Sequence, residues 1–297
     1  MPNLASGPQC ARISSLRESI VAAARQLEAA GVASARVDAE LLAAHVLDCD
    51  RSALFTAGGF DAVQEETFQY LARRRAAREP LQHLTGRVGF HRLELAVGPG
   101  VFIPRPETEL LVEWGLSAIA ATPQPLVVDL CAGSGAIALA VAHERPEAKV
   151  YAVEQSPDAL RWLHRNAEIR RRAGDRAIAV AAADATGAAA LAGLDGRVDL
   201  VLANPPYVPL GVALPAEVTG HDPAQAVHAG PDGLAVIAPL TARATALLKP
   251  GGWLGVEHDD SHGEAVPRLF AATEALTDVA DHDDLAGRPR FTTARRV

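Results

Sequence analysis

From Pro125 onward the chain repeats strand, helix, strand, helix, and this alternation restricts its fold more than any other feature. Candidate strands are 126–130, 149–153, 177–182, 198–203, 253–257, 277–280 and 290–295, with helices expected over about 135–145, 157–172, 232–248 and 263–274. Short apolar strands separated by helices form a parallel sheet covered on both faces. Sheets of this kind bind ligands beyond the carboxyl ends of their strands. Function is therefore expected in the residues that close each strand.

The fourth strand runs directly into Asn204-Pro205-Pro206-Tyr207. Pro205 forces Asn204 into an extended conformation, and both prolines fix their own φ and lack an N–H. The loop thus offers acceptors, the Asn204 side-chain oxygen and the Pro205 carbonyl, beside the flat Tyr207 ring. Fixed acceptors next to an aromatic face suit a planar –NH2 group, either a carboxamide or an exocyclic base amine. The first strand ends in Asp129-Leu130-Cys131-Ala132-Gly133-Ser134-Gly135. Glycines at a strand-to-helix turn let a ligand approach the backbone and helix N-terminal amides. Glu154 closes the second strand, where a carboxylate can accept ribose hydroxyls. Asp184, followed by Ala185, closes the third and is placed to accept from an adenine amine. The turn lacks the G-x-G-x-x-G spacing that seats a pyrophosphate, which argues against a nicotinamide dinucleotide. S-adenosyl-L-methionine has a carboxylate for the helix end, a ribose for Glu154, an adenine for Asp184 and a methyl to deliver, which accounts for all four strand ends.

Upstream, apolar residues at helical spacing (Leu16, Ile20, Val21, Ala24, Leu27) open a small helical bundle, with further helices near 37–47 and 63–78. Arg73, Arg74, Arg75 and Arg78 are expected on a solvated face of the third. Residues 86–97 alternate like a hairpin. Pro106 then opens a helix reaching about Ala120, with Leu110, Leu111 and Trp114 inward. Arg105 and Glu107 fit either a substrate channel or the opening of that helix, and Glu257, at the end of the fifth strand, is a further pocket candidate. Net charge is −8, against the basic face that a large nucleic-acid footprint requires. The three cysteines, Cys10, Cys49 and Cys131, have no C-x-x-C spacing, so neither a disulfide framework nor a zinc site is expected. Residues 1–12 look like a tail without the apolar core of a signal peptide, and no apolar run spans a bilayer. A cytoplasmic protein is expected.

With these pieces in place, the chain closely resembles the HemK/PrmC family of peptide chain release factor glutamine N5-methyltransferases. The resemblance is carried by Glu79-Pro-Leu-Gln-His-Leu-Thr-Gly86, Phe102-Ile-Pro-Arg-Pro-Glu-Thr-Glu109, the 129–135 turn, Asn204-Pro-Pro-Tyr207, Glu257-His258 and Gly263-Glu264. It implies an α/β fold: a seven-stranded Rossmann-like class I methyltransferase domain, mostly parallel with its last strand antiparallel, preceded by a small helical bundle and a β-hairpin linker. The implied division is a substrate-docking domain over 1–84, the linker over 85–103 and the methyltransferase domain over 104–297. It also implies a protein substrate, the glutamine of the Gly-Gly-Gln motif of class 1 release factors, methylated on its side-chain nitrogen. Neither stable nucleic-acid binding, membrane association nor oligomerisation is expected. Asn204, Pro205, Pro206 and Tyr207 are the expected catalytic and substrate-binding set, with Arg105 beside the substrate. Asp129, Cys131, Ala132, Gly133, Ser134, Gly135, Glu154, Asp184, Ala185 and Asn204 are expected around the donor. Cys131 replaces a frequent glycine, and Ala185 stands where an aromatic adenine wall is often found. The rival readings are an adenine N6 or guanine N2 methyltransferase acting on nucleic acid, and a cofactor-binding regulatory module without chemistry.

Overall fold

A computed structural model describes residues 15–297; the expected tail over 1–12, and Cys10, lie outside the described residues. The chain divides into two compact units, one ending at Thr85 and one running Gly86–Val297. The first is helical: α1 (Leu16–Ala29), α2 (Ala35–Val46), α3 (Ala62–Ala76) and α4 (Leu81–Thr85). Ser15 with Glu18, and Asp61 with Gln64, form reciprocal capping boxes that fix the starts of α1 and α3. Ile20 and Leu27 of α1 meet Leu42, Phe68 and Leu71 in one apolar cluster. Arg75 departs from the expected solvated face: it is buried and pairs with the equally buried Asp38 at 2.7 Å. It lies seven residues after Phe68, on the same face of the helix.

The second unit opens with a hairpin, β1 (Arg87–Phe90) and β2 (Leu93–Ala96), followed by α5 (Thr108–Ala118). Then come β3 (Leu126–Leu130), α6 (Ala136–Glu144), β4 (Lys149–Glu154), α7 (Pro157–Arg172), β5 (Ala179–Ala182) and β6 (Val198–Ala203). The remainder is α8 (Ala216–His221), α9 (Ala224–Val227), α10 (Ile237–Leu247), β7 (Leu248–Glu257), α11 (Ala265–Ala271), β8 (Leu276–Asp283) and β9 (Pro289–Arg296). Seven strands form one sheet in the order β5-β4-β3-β6-β7-β9-β8. All neighbours run parallel except β9, which is antiparallel to both β7 and β8.

Side chains alternate across the sheet and so divide its core in two. Val127, Leu200 and Leu202 face α5, α6 and α7, while Val128, Leu130 and Val201 face α10 and α11. The hairpin packs into the first of these layers through Phe90, Leu93 and Leu95, and Asn166 of α7 bonds both the N–H and the C=O of Ala96. From β3 the sheet grows one way through β4 and the other through β6, so the order reverses between β3 and β6. Leu130 pairs with Ala203 at that point, setting the two loops that follow these strands side by side, where an open α/β sheet forms its ligand crevice.

Candidate active site

The 131–135 turn holds three residues with positive φ: Cys131 at 65°, Gly133 at 57° and Gly135 at 89°. Gly135 has no room for a side chain, since a Cβ would meet Leu163 of α7. The turn is tied to the next strand by the Gly133 N–H, which donates to Glu154 Oε2 at 2.8 Å. Glu154 Oε1 accepts from the N–H groups of Gln155 and Ser156 at 2.8 and 2.7 Å. Three backbone donors therefore fix this carboxylate, and its remaining lone pairs stay available for a hydroxyl. Asp184 is exposed; its Oδ1 accepts from the Thr186 N–H and hydroxyl.

A cavity of about 970 Å³ lies over these strand ends. Cys131, Ala132, Gly133, Ser134, Glu154, Asp184, Ala185, Arg105 and all of Asn204–Tyr207 line it. Ser134 Oγ is buried there without a hydrogen-bond partner, a polar atom that a polar ligand would satisfy. Two residues expected around the donor are not in the lining. Asp129 is fully buried beneath the turn, where Oδ2 accepts the Ala138 N–H of α6 at 3.0 Å and burial pushes its carboxyl well up. Its work is to hold the first turn of α6 against β3. Gly135 likewise serves the packing of α6 on α7. Burial, then the charges of Glu154, Asp129 and Asp184, push the Cys131 thiol up, so it stands in the lining as a neutral group rather than a nucleophile.

The Asn-Pro-Pro-Tyr loop is braced at both ends. The Asn204 Nδ2–H donates to Thr108 Oγ1 at 3.1 Å, and the Tyr207 hydroxyl donates to Glu257 Oε1 at 3.0 Å. Glu257 is 1% exposed and does not reach the cavity; it stands behind the loop. Burial pushes its carboxyl up to about 7, opposed by Thr108, Tyr207 and Arg290. Burial first, and Glu257 next, push the Tyr207 phenol well up. Gly233, at φ 76°, presses on the loop from outside, since a Cβ there would overlap the Tyr207 carbonyl. Val208 bridges to His228, so the segment carrying α8 and α9 returns over the loop.

Arg105 does line the cavity, but its guanidinium is engaged. Nη2 donates to Asp222 Oδ2 at 2.7 Å, and the group lies 4.8 Å over the Phe102 ring. Glu107 is exposed at the start of α5 and outside the lining. Thr108, Phe102 and His228 line the cavity without having been singled out in the sequence. Two of them, Phe102 and Thr108, fall inside the Phe102–Glu109 run already noted there; His228 had no signal around it. Among the described residues, no His, Cys, Asp and Glu side chains gather in a group of three that could hold a metal. Nor is any described helix long and apolar enough to cross a membrane.

Comparison with known proteins divides the chain in the same region. Residues 18–86 match the family model for the PrmC N-terminal domain, and residues 99–214 match that of the methyltransferase small domain. The release factor glutamine methyltransferase of Mycolicibacterium smegmatis is 50% identical over 282 residues, covering 95% of this chain and 98% of that one. The proteins of the same description from Streptomyces coelicolor and Mycobacterium leprae are each 47% identical. The matches cover 94% of this chain and 97% of the first relative, and 95% of this chain and 96% of the second.

Proposed function

The chain belongs to the release factor glutamine methyltransferase family, and on that premise we propose how its cavity performs the transfer. The enzyme methylates a glutamine side chain of a peptide chain release factor with S-adenosyl-L-methionine as donor. We assign the target as the side-chain nitrogen (N5) of the Gly-Gly-Gln glutamine in class 1 release factors. Residues 1–84 act as a docking domain for that substrate, 85–103 as a hairpin linker and 104–297 as the methyltransferase domain. The protein works as a cytoplasmic monomer without a stable nucleic-acid or membrane partner.

The donor supplies an electrophilic methyl on a positively charged sulfur. Glu154, held by three backbone N–H groups, is oriented to accept the ribose hydroxyls, and Asp184 has Oδ2 for the adenine amine. The unpartnered Ser134 hydroxyl and the amides opening α6 suit the amino-acid end of the donor. Cys131, Ala132, Gly133 and Ala185 provide close-packed walls.

An amide nitrogen is a weak nucleophile because its lone pair is delocalised into the carbonyl. No side chain in this cavity deprotonates an amide near neutral pH, so the residues act by position and electrostatics. Asn204 Oδ1 and the Pro205 carbonyl accept the two N–H groups of the substrate carboxamide. They would hold its nitrogen toward the donor side of the cavity and favour positive charge developing there. Pro206 keeps the loop rigid, and Tyr207, anchored on Glu257, presents its ring to the carboxamide plane. As the N–C bond forms the S–C bond would break and leave a neutral thioether, and the strongly acidic protonated amide would give its surplus proton to water, so no dedicated base is needed. Arg105, bound to Asp222, shapes the cavity wall.

The observation that carries this reading is the Asn204 amide, with Nδ2 turned to Thr108 and Oδ1 left for a ligand, in the lining that also holds Glu154 and Asp184. Its test is mass spectrometry of release factor peptides after incubation with enzyme and donor, with DNA and RNA offered in parallel. A single methyl on the Gly-Gly-Gln glutamine is expected. Methylation of nucleic acid alone, or donor binding without turnover, refutes it.

A further inference from the structure

A side-chain amide can be turned either way round, and only one orientation makes Asn204 an acceptor toward the cavity. Flipped by 180°, it would present an N–H donor to the N–H groups of the substrate carboxamide and repel them. Some group must discriminate between the two. The only hydrogen-bond partner of the Asn204 side chain among the described residues is Thr108 Oγ1.

Thr108 is well suited to the task. It is 3% exposed and sits in the first turn of α5, a helix fixed on the sheet by Leu111, Val112 and the close approach of Gly115 to Leu200 and Leu202. Its oxygen accepts the Asn204 Nδ2–H at 3.1 Å. The helix cap is Glu107 rather than Thr108, so the hydroxyl is not needed to start α5. We propose that Thr108 is a positioning residue for methyl transfer: its hydroxyl accepts the Asn204 Nδ2–H and locks the amide with Oδ1 toward the substrate nitrogen. This rests on the role given to Asn204 above.

The test uses the full-length enzyme with release factor and donor, and compares Thr108→Val, Thr108→Ser, Asn204→Ala and the double variant Thr108→Val/Asn204→Ala. Val keeps the shape and removes the hydroxyl. It is expected to lower kcat about tenfold, the equivalent of one net hydrogen bond. KM for release factor and donor affinity by calorimetry stay at their wild-type values. Ser restores kcat, and the double variant is no slower than Asn204→Ala alone, because Thr108 acts through Asn204. Thr108→Ala repeats the test with a smaller side chain where Val is not accommodated. Wild-type kcat without the hydroxyl, failure of Ser to restore it, or additive losses in the double variant overturn the proposal. Full activity in Asn204→Ala instead removes the acceptor role of Asn204 itself, whereas a slow Asn204→Ala beside a fast Thr108→Val refutes only Thr108.

Discussion

Glu257→Gln isolates an electrostatic strain stored behind the cavity. In the folded protein this carboxyl titrates at about 7, against an ordinary value of 4.5, chiefly because it is buried. Below 4.5 it is protonated whether the chain is folded or not. Between 4.5 and about 7 the unfolded chain releases the proton while the folded chain retains it, so stability falls as pH rises and levels off above 7. The gap between those values, at about 1.4 kcal/mol per unit, makes the loss about 3 kcal/mol. Gln cannot ionise and can still accept the Tyr207 hydroxyl, so its variant lacks this component. The two proteins should differ little in slope below pH 4.5 and diverge from pH 5 to 8, with Gln gaining about 3 kcal/mol relative to wild type. Urea unfolding read by tryptophan fluorescence measures it cleanly, because Trp114, Trp162 and Trp253 all lie in the second unit. Other titrating groups are common to both proteins and cancel in the comparison. Parallel stability curves over that range would show that Glu257 is ionised in the folded protein at no cost, and the burial argument would fail.

Asn204→Ala is expected to cut kcat on the order of 10²-fold, as removal of a preorganised electrostatic group does elsewhere, with donor affinity by calorimetry unchanged; an equal rate excludes Asn204 from the transfer. Glu154→Ala should weaken donor binding before it affects anything else, and an unaltered calorimetric Kd would sink the ribose assignment. Cys131 adopts φ 65°, a region that glycine tolerates and β-branched residues do not. Thermal unfolding should therefore find Cys131→Val destabilised by about 1–3 kcal/mol and Cys131→Gly close to wild type; a Val variant as stable as the parent contradicts that backbone.

What the sequence made legible follows from where the physics is local. Buried strands announce themselves as apolar runs, and β3 and β6 were readable to the residue because both faces of each are covered. β7 begins at Leu248 rather than 253 because Leu248 pairs with Val198 across an irregularity in the ladder, which no run of residues encodes. The segment between Tyr207 and α10 was opaque for a different reason. Of the residues in α8 and α9 only Val227 is buried, so neither helix has an apolar face to betray it. Gly230 and Gly233, both at positive φ, delay α10 to Ile237.

The site divides along the same line. Which side chains stand at strand ends can be counted from the sequence, and Glu154, Asp184 and Asn204, singled out in that way, all line the cavity. Which way an end residue turns is not counted so easily: Asp129, expected beside the donor, is buried outside the cavity lining and accepts the Ala138 N–H of the helix that follows, and an acid at a strand end reads identically whether it faces a ligand or caps the helix beneath. Arg75 shows that part of the failure was avoidable. Its spacing from Phe68 and Leu71 places it on the buried face of α3, and charge alone led to the opposite expectation. Thr108 was beyond reach, since its partner lies 96 residues away and nothing local separates a hydroxyl that packs from one that orients. On the proposed reading, recognition of the amide lies in the Asn-Pro-Pro-Tyr loop, whose Asn204 and Tyr207 are held by Thr108 of α5 and Glu257 of β7. Substitutions at Thr108 and Glu257, neither of them an acceptor for the substrate, should accordingly alter transfer through the loop they support.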